Sequence, residues 1–499
     1  MQSAHRWRRS VQSILKKLYG GAESRYHMSS TIDLAVIGAG PGGYTAAIRG
    51  AQKGLNVVLV ERETVGGVCL NHGCIPAKAL IHAAGFQRDI DHWNALGIET
   101  GPVDVDYDAI QNWKDSVVDT LDQQVLDSLD HHGVELIEGT ARFADSDTLH
   151  VDSDSQNTDT GNDSRTIDFE TAIIATGSDP IEIPGLEYEQ DGVISSREIL
   201  QVDEVPDEIV VVGGGYIGME AVTKFTKFGA RVKIVEALDR VLTQFEPEIV
   251  DSIQETSEMY DDEIYTSTLA QGIEYDNGTP VLVAERDDEE IRLSGDYIVV
   301  AAGRKPNAAY ERLGLDTTGV ERTEDGFIEV DDQLRTADDD ILAIGDAAGP
   351  PYLAHVAAHE GKVAAAVAAG EERAVDTEYM PTVMYTDPEV ATVGLSEAEA
   401  TEQHDDVLVG RVSMATSGRA LTTDKTSGYL KLIADGDEQL LGVRIVGARA
   451  SDTIAEATLA LKMGASLDDL ATTMHAHPTF PETLVEAAEA ARGEAIHAR

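Results

Sequence analysis

The chain has 499 residues, 42% of them hydrophobic, enough for buried cores in about three domains. Lys plus Arg is 38 and Asp plus Glu is 90, so the formal net charge is −52, which excludes ordinary electrostatic binding to nucleic acid or to an anionic membrane. Two cysteines, Cys69 and Cys74, exclude a disulfide scaffold and a four-thiolate metal cluster, and no apolar run reaches the roughly 18 residues of a membrane span.

Acids outnumber bases across almost the whole chain. This fits adaptation to a cytoplasm of molar salt, where the Debye length shrinks to about 3 Å and self-repulsion is screened. A generically soluble acidic protein is the plainer alternative. At low salt the same surface is expected to repel itself and loosen the fold. The start of the chain breaks the pattern: Arg6, Arg8, Arg9, Lys16, Lys17 and Arg25 face one acid, Glu23. Residues 1–30 read as a basic, disordered extension, and Met28 is a candidate for the true start.

The first predicted strand is the apolar run 32–37, which enters the turn Gly38-Ala39-Gly40-Pro41-Gly42-Gly43. A helix from Tyr44 to about Lys53 follows, then a strand that ends in Glu61. The glycines have separate tasks: Gly38 makes the tight turn, Gly40 lets the backbone approach a pyrophosphate, and Gly43 lets helix and strand pack closely. Glu61, 18 residues after Gly43, stands where an acid can hydrogen-bond a ribose hydroxyl.

Next come the cysteines, in a segment running from Gly66 to Lys78. Two thiols this close in a cytoplasmic protein point to a redox couple or a metal site. His72 is the one local candidate for a further ligand, so a dithiol/disulfide couple is favoured and no metal is expected. A helix N-terminus after Gly73 would favour a thiolate. Lys78, on that helix, would favour it too or sit near an electron-accepting ring, unless it is a plain surface lysine. A long helix is expected at about 105–131, and the polar stretch 153–164 reads as a solvated hairpin tip.

The nucleotide-binding pattern returns about 175 residues later. A strand at 208–212 enters Gly213-Gly214-Gly215-Tyr216-Ile217-Gly218, a helix runs through Phe228, and a second strand leads to Glu236. Gly213, Gly215 and Gly218 repeat the roles of the first turn. Glu236 favours NAD over NADP, because its charge would repel a 2′-phosphate; the alternative is one more surface acid. Strand-plus-turn signals at 171–178, 297–304 and 341–346 close these units, and a helix is expected from about His355 to Ala369. From Pro381 the pattern changes to strands with helices at about 452–463 and 481–491, an α+β third domain. Within it, His477 and Glu482 bracket two prolines. A carboxylate can hold an imidazole's tautomer and raise its basicity, and a thiol–disulfide enzyme needs such a base. Alone, such a pair is more often structural than catalytic, and His475 reads as structural.

Two such units, the Gly66–Lys78 segment, Ala175 to Pro180, Ala301 to Asn307, Asp346 and the segment His477 to Glu482 together resemble the flavin-dependent pyridine nucleotide–disulfide oxidoreductases, over about residues 31–495. Within that family the chain is most similar to the branch that oxidises dihydrolipoamide with NAD⁺. The resemblance implies an α/β fold of two Rossmann-like units, for FAD and NAD, with a C-terminal α+β dimerisation domain. It places the FAD unit at 31–179 and 305–376, the NAD unit at 180–304, and the dimerisation domain at 377–499. One FAD per subunit would be held by Gly38, Gly40, Gly43, Glu61, Lys78, Thr176, Gly177 and Asp346, with backbone near Ala141 and Ala354. NAD would be held by Gly213, Gly215, Gly218, Glu236 and Gly303, and Glu220 would pair with Lys78.

The resemblance also gives the roles. Cys69 would exchange with substrate, Cys74 would face the flavin, and His477, polarised by Glu482, would be the acid/base reaching the other subunit's disulfide. It implies a cytoplasmic homodimer working with lipoyl domains of a 2-oxo acid dehydrogenase or glycine cleavage complex, with no nucleic-acid or membrane partner. The alternatives are a related flavin reductase of another small disulfide, or a paralogue outside such complexes. Val68 and Ala77 depart from the usual Thr and Ser beside the cysteines and remove no catalytic group.

Overall fold

The computed structural model describes residues 31–92, 96–101, 103–152, 164–258, 262–307 and 309–497. The basic start 1–30 and most of the polar tip expected at 153–164 lie outside the described residues.

The chain opens with strand β1 (Ile32–Ile37), helix α1 (Pro41–Gln52) and strand β2 (Val57–Glu61). Apart from Asp33 near the start of β1 and Glu61 at the end of β2, the two strands are apolar and buried, as expected of parallel strands covered on both faces. Two helices carry the cysteine segment, α2 (Gly67–His72) and α3 (Cys74–His92), and the long α4 (Tyr107–His132) follows. Asp106 caps α4 through the Ala109 amide, and Gly133 ends it in the left-handed region. Then come β3 (Glu135–Glu138), β4 (Thr140–Asp145), β5 (Thr148–Asp152) and β6 (Ser164–Ile174). The parallel sheet runs β3-β2-β1-β6. The first half of β6 instead pairs antiparallel with β5, which pairs with β4. β6 thus serves two ladders.

The second unit holds β7 (Ser178–Pro180), β8 (Val193–Ser195), β9 (Glu208–Val212), α5 (Tyr216–Lys227), β10 (Arg231–Val235), α6 (Pro247–Glu258) and β11 (Glu263–Tyr265). It continues with β12 (Leu269–Asp276), β13 (Thr279–Arg286), β14 (Glu289–Ser294), β15 (Tyr297–Val300) and β16 (Arg304–Pro306). Its parallel sheet has the order β11-β10-β9-β15-β8, with an antiparallel layer β12-β13-β14. After α7 (Ala309–Leu313), β17 (Ile341–Ala343) returns to pair with β6, and α8 (Ala354–Ala368) packs on α1. The chain therefore leaves the first sheet, builds the second, and comes back.

The last unit contains β18 (Thr382–Met384), β19 (Val390–Gly394), α9 (Glu397–Gln403), β20 (Val407–Ser413), α10 (Gly418–Thr422), β21 (Tyr429–Asp435), β22 (Leu440–Val446), α11 (Ala450–Lys462), α12 (Leu467–Thr472) and α13 (Glu482–Ala491). Its sheet is antiparallel, in the order β18-β19-β22-β21-β20. Alternation along β21 sends Leu430 and Leu432 toward the cluster that includes Ile454 and Leu484. Tyr429 joins the core of the second unit. Lys431 and Arg444, both buried, meet acids of α6 and the residues just before it. Arg444 Nε stands 2.7 Å from Glu246 Oε2, and Lys431 bonds Glu248 and reaches Glu397 at 3.3 Å.

Expected elements are present with ends shifted by a few residues. The first helix begins at Pro41 rather than Tyr44, because Pro is well placed in a first helical turn. Among the described residues, no helix is long and apolar enough to cross a membrane.

Candidate active site between two dinucleotide cradles

The two glycine turns are built alike. Gly38 and Gly213 take φ of 97° and 109°, and a Cβ there would lie 2.4 Å from Ala175 O and 2.5 Å from Ala301 O. Around Gly40 and Gly215 a Cβ would meet nothing within 4 Å, which leaves an open cradle at the N-terminus of α1 and of α5. Such a helix start suits a pyrophosphate. Glu61 accepts the Ala39 amide at 2.6 Å and the Glu63 amide at 2.7 Å. Glu236 repeats this with Gly214 at 2.7 Å and Leu238 at 2.8 Å. Each acid is thus fixed across its own turn, at the end of the strand where a ribose would lie.

The first cradle has further features that fit a cofactor. Among the described residues Thr176 Oγ1 is buried without a well-formed hydrogen bond, the neighbouring Tyr310 hydroxyl donating to Ala347 O. Gly177 beside it has φ of 73° and open space where a Cβ would be. Asp346 accepts from Ser178 Oγ at 2.5 Å, and Arg304 Nε stands 3.5 Å from it. Ala354 starts α8, while Ala141 is buried in the first core. On the side of the second cradle Gly303, just before β16, takes φ of 118°.

The redox segment lies between these cradles. Cys69 ends no helix and starts none; it sits inside α2, while Cys74 is the first residue of α3, with Gly73 between the helices. Both thiols are free and partly buried. A hydrogen bond between them separates their behaviour. Cys69 is pushed up, first by that bond to Cys74 and then by burial. Cys74 is lowered to about 7, first by the bond from Cys69 and then, against burial, by Lys78. The two thiols thus act on one another in opposite directions, Cys69 raised and Cys74 lowered.

Lys78 is one turn further along α3, and its Nζ stands 2.6 Å from Glu220 Oε2 on α5. Burial pulls Lys78 down, but Glu220 and Cys74 outweigh it and keep it charged. The other Glu220 oxygen accepts the Tyr385 amide at 3.1 Å, and the Tyr385 ring lies 4.8 Å from the Lys78 ammonium. His72 does not join the thiols as a ligand; its Nε2 pairs with Arg197 Nη2 at 2.9 Å.

On the C-terminal unit, His477 Nδ1 stands 2.8 Å from Glu482 Oε1, and the Thr479 amide donates to Glu482 Oε2 at 2.6 Å. Burial alone would raise the Glu482 carboxyl, but these partners hold it below its usual range. His477 is 78% exposed, and among the described residues no hydrogen bond joins this pair to the thiols of the same chain. The His475 side chain packs against Glu456, with 2.7 Å between Nε2 and Oε1.

Sequence reasoning missed Tyr385, Arg304 and the cavity beside Cys69. Arg304 lies inside the segment Ala301 to Asn307, whose pattern was the available signal. Tyr385 has none, because it stands 165 residues from Glu220. The cavity, about 360 Å³, is lined by Pro41, Tyr44, Ile48, Leu70, Leu121 and Val125 among others.

Family models agree with this arrangement: the pyridine nucleotide-disulphide oxidoreductase model matches residues 32–361, and the dimerisation domain of that family matches 380–488. The dihydrolipoyl dehydrogenase of Halobacterium salinarum is 44% identical, over 94% of this chain and 98% of its own. That of Geobacillus stearothermophilus is 42% identical, over 93% and 96%. Among solved structures, LpdA from Mycobacterium tuberculosis superposes with a TM-score of 0.84 at 23% identity, over 91% of this chain and 99% of that one. The flavoprotein disulfide reductase RclA from Escherichia coli gives 0.81 at 26%, over 92% and 99%. With matches of this extent and two cradles that fit FAD and NAD, the chain belongs to the pyridine nucleotide-disulphide oxidoreductases.

Proposed function

We propose that the chain is a dihydrolipoyl dehydrogenase, oxidising dihydrolipoamide to lipoamide with NAD⁺. The observation that carries this reading within the family is the cavity beside Cys69. Among the described residues no charged side chain lines it: Tyr44, Gln124 and Ser128 are its uncharged polar members beside Cys69, with Ile75 completing the apolar wall. An uncharged aliphatic dithiol suits such a wall, whereas a peptide disulfide bearing carboxylates would want cations there.

The residues act as follows. FAD is held by the first cradle, with Gly38, Gly40, Gly43, Glu61, Thr176, Gly177 and Asp346 around it; NAD is held by Gly213, Gly215, Gly218, Glu236 and Gly303. His477 of a second copy of this chain takes a proton from a substrate thiol, and Glu482 orients its ring. The substrate thiolate attacks Cys69 Sγ, the Cys69–Cys74 bond breaks, and Cys74 leaves as the thiolate. His477, having passed the first proton to solvent, takes the proton of the second substrate thiol, whose sulfur displaces Cys69 from the mixed disulfide; Cys69 leaves as a thiolate and receives that proton from His477 as lipoamide departs. Lys78 stabilises the Cys74 thiolate while Glu220 holds Lys78. When bound, FAD supplies a two-electron acceptor between the dithiol and NAD⁺.

This reading entails a homodimer and a site shared between copies. We further assign the FAD unit to 31–179 with 305–376, the NAD unit to 180–304 and the dimerisation domain to 377–499. The partners are lipoyl domains of a 2-oxo acid dehydrogenase or glycine cleavage complex, met in a saline cytoplasm. The test is NADH formation from dihydrolipoamide in molar KCl, with NADP⁺ as control. Rapid reduction of NAD⁺ alone supports the reading; a yellow, folded dimer without turnover overturns the substrate assignment.

A further inference from the structure

Lys224 is fully interior, 1% exposed, on α5. Such a lysine is ordinarily paired with an acid. Among the described residues, no carboxylate stands within ion-pair distance of it. Its ammonium lies 4.1 Å from the centre of the Phe225 ring. Glu220 is one turn earlier on the same helix, so their side chains are neighbours.

The charged groups around it come from four directions. From α4, Lys114 is also buried; its Nζ donates to Leu200 O at 3.1 Å and stands 3.0 Å from Asp115. From α3, Lys78 lies beyond Glu220. From its own helix come Glu220 and Lys227, the latter paired with Asp387 at 2.9 Å. From the segment after β18 come Tyr385 and Asp387. β9 and β10 contribute apolar Val211, Val232 and Ile234 to the core on this side. A row of charge thus runs from the thiols inward: Cys74, Lys78, Glu220, Lys224, Lys114.

We propose that Lys224 is a positioning residue for the redox centre: its proton decides how much of the Glu220 charge is left to act on Lys78 and Cys74. Burial and the Lys114 charge push Lys224 down to about 7, against the pull of Glu220. The sign follows from the neighbours. Glu220 opposes the Cys74 thiolate. A charged Lys224 offsets Glu220 and so favours the thiolate, and this help disappears as the pH rises and Lys224 loses its proton. The device broadens the acid side of the thiolate range.

The proposal rests on the dithiol reading above. The test is the rate of iodoacetamide alkylation of the reduced holoenzyme against pH, in wild type and Lys224→Met, in molar KCl. The two profiles are expected to coincide above about pH 8. At pH 6 the wild type is expected to react about threefold faster, the size of a charge acting across a partly screened interior. Profiles that coincide everywhere, or that differ by one constant factor at all pH values, overturn the proposal. Should Lys224→Met fail to fold, Lys114→Met is expected to keep Lys224 charged to higher pH and so to move the thiolate step of the profile to lower pH; an unmoved step, or one moved to higher pH, overturns it. A reduced wild type without a thiolate step would instead overturn the dithiol reading.

Discussion

Lys78 Nζ and Glu220 Oε2 stand 2.6 Å apart, joining the helix that begins at Cys74 to the helix of the second dinucleotide turn. The two residues act on Cys74 with opposite sign: Lys78 lowers its thiol and Glu220 raises it. Lys78→Met is therefore expected to move the thiolate midpoint up by about one pH unit, and Glu220→Gln to move it down. The pH profile of alkylation of the reduced enzyme measures both, and shifts of the same direction in the two variants would contradict this account.

The His477–Glu482 pair predicts a selective loss. His477→Gln should lower turnover with dihydrolipoamide by about 10² to 10⁴, the usual worth of a positioned acid/base. Oxidation of NADH by an artificial dye acceptor needs no substrate thiol and should stay within about twofold of wild type. A parallel fall of both rates would show that the substitution damages the fold rather than proton transfer.

The paired glycine turns separate binding from stability. Gly215 has open space around a built Cβ, so Gly215→Ala should leave the melting temperature unchanged and raise the KM for NAD⁺ about tenfold. Gly218 would place its Cβ 2.1 Å from Gly213 O, so Gly218→Ala should lower the melting temperature. Thermal unfolding and NAD⁺ saturation curves of the two variants are the check.

The contact between the second and third units predicts an unusual response to salt. Glu246→Gln leaves Arg444 buried without its carboxylate and should cost about 3 kcal/mol, largely retained in molar KCl. Glu135→Gln breaks an exposed pair with Arg165 and should cost less than about 1 kcal/mol there. Denaturant titrations at low and molar KCl distinguish the two.

What was legible in the sequence was legible for backbone reasons. Gly38 and Gly213 are forced by their φ, and Glu61 and Glu236 follow at a fixed 18-residue distance from Gly43 and Gly218 because strand and helix lengths are fixed. Cys69, Cys74 and Lys78 stood out through local spacing alone. The helix that begins after Gly73 was legible, whereas the short helix Gly67–His72 before it was not, since six residues with two glycines beside them carry no helical period. Nor was the layer β12-β13-β14, whose exposed acids blur the alternation of a strand. Nothing in the sequence marks Lys224 as interior; its burial appears only in the packed structure. Arg444 and Glu246 lie 198 residues apart, a separation no local pattern reports.

Gly73 has a consequence of its own. Its backbone, at φ −143° and ψ −107°, stops one helix and starts the next. On an uninterrupted helix two residues five apart point about 140° away from each other around the axis. Cys69 and Cys74 would then look in different directions, and no bond could close between them without unwinding a turn. The interruption brings both sulfurs to one side. The reversible opening and closing of a covalent bridge thus depends on a residue that contributes no side chain to it.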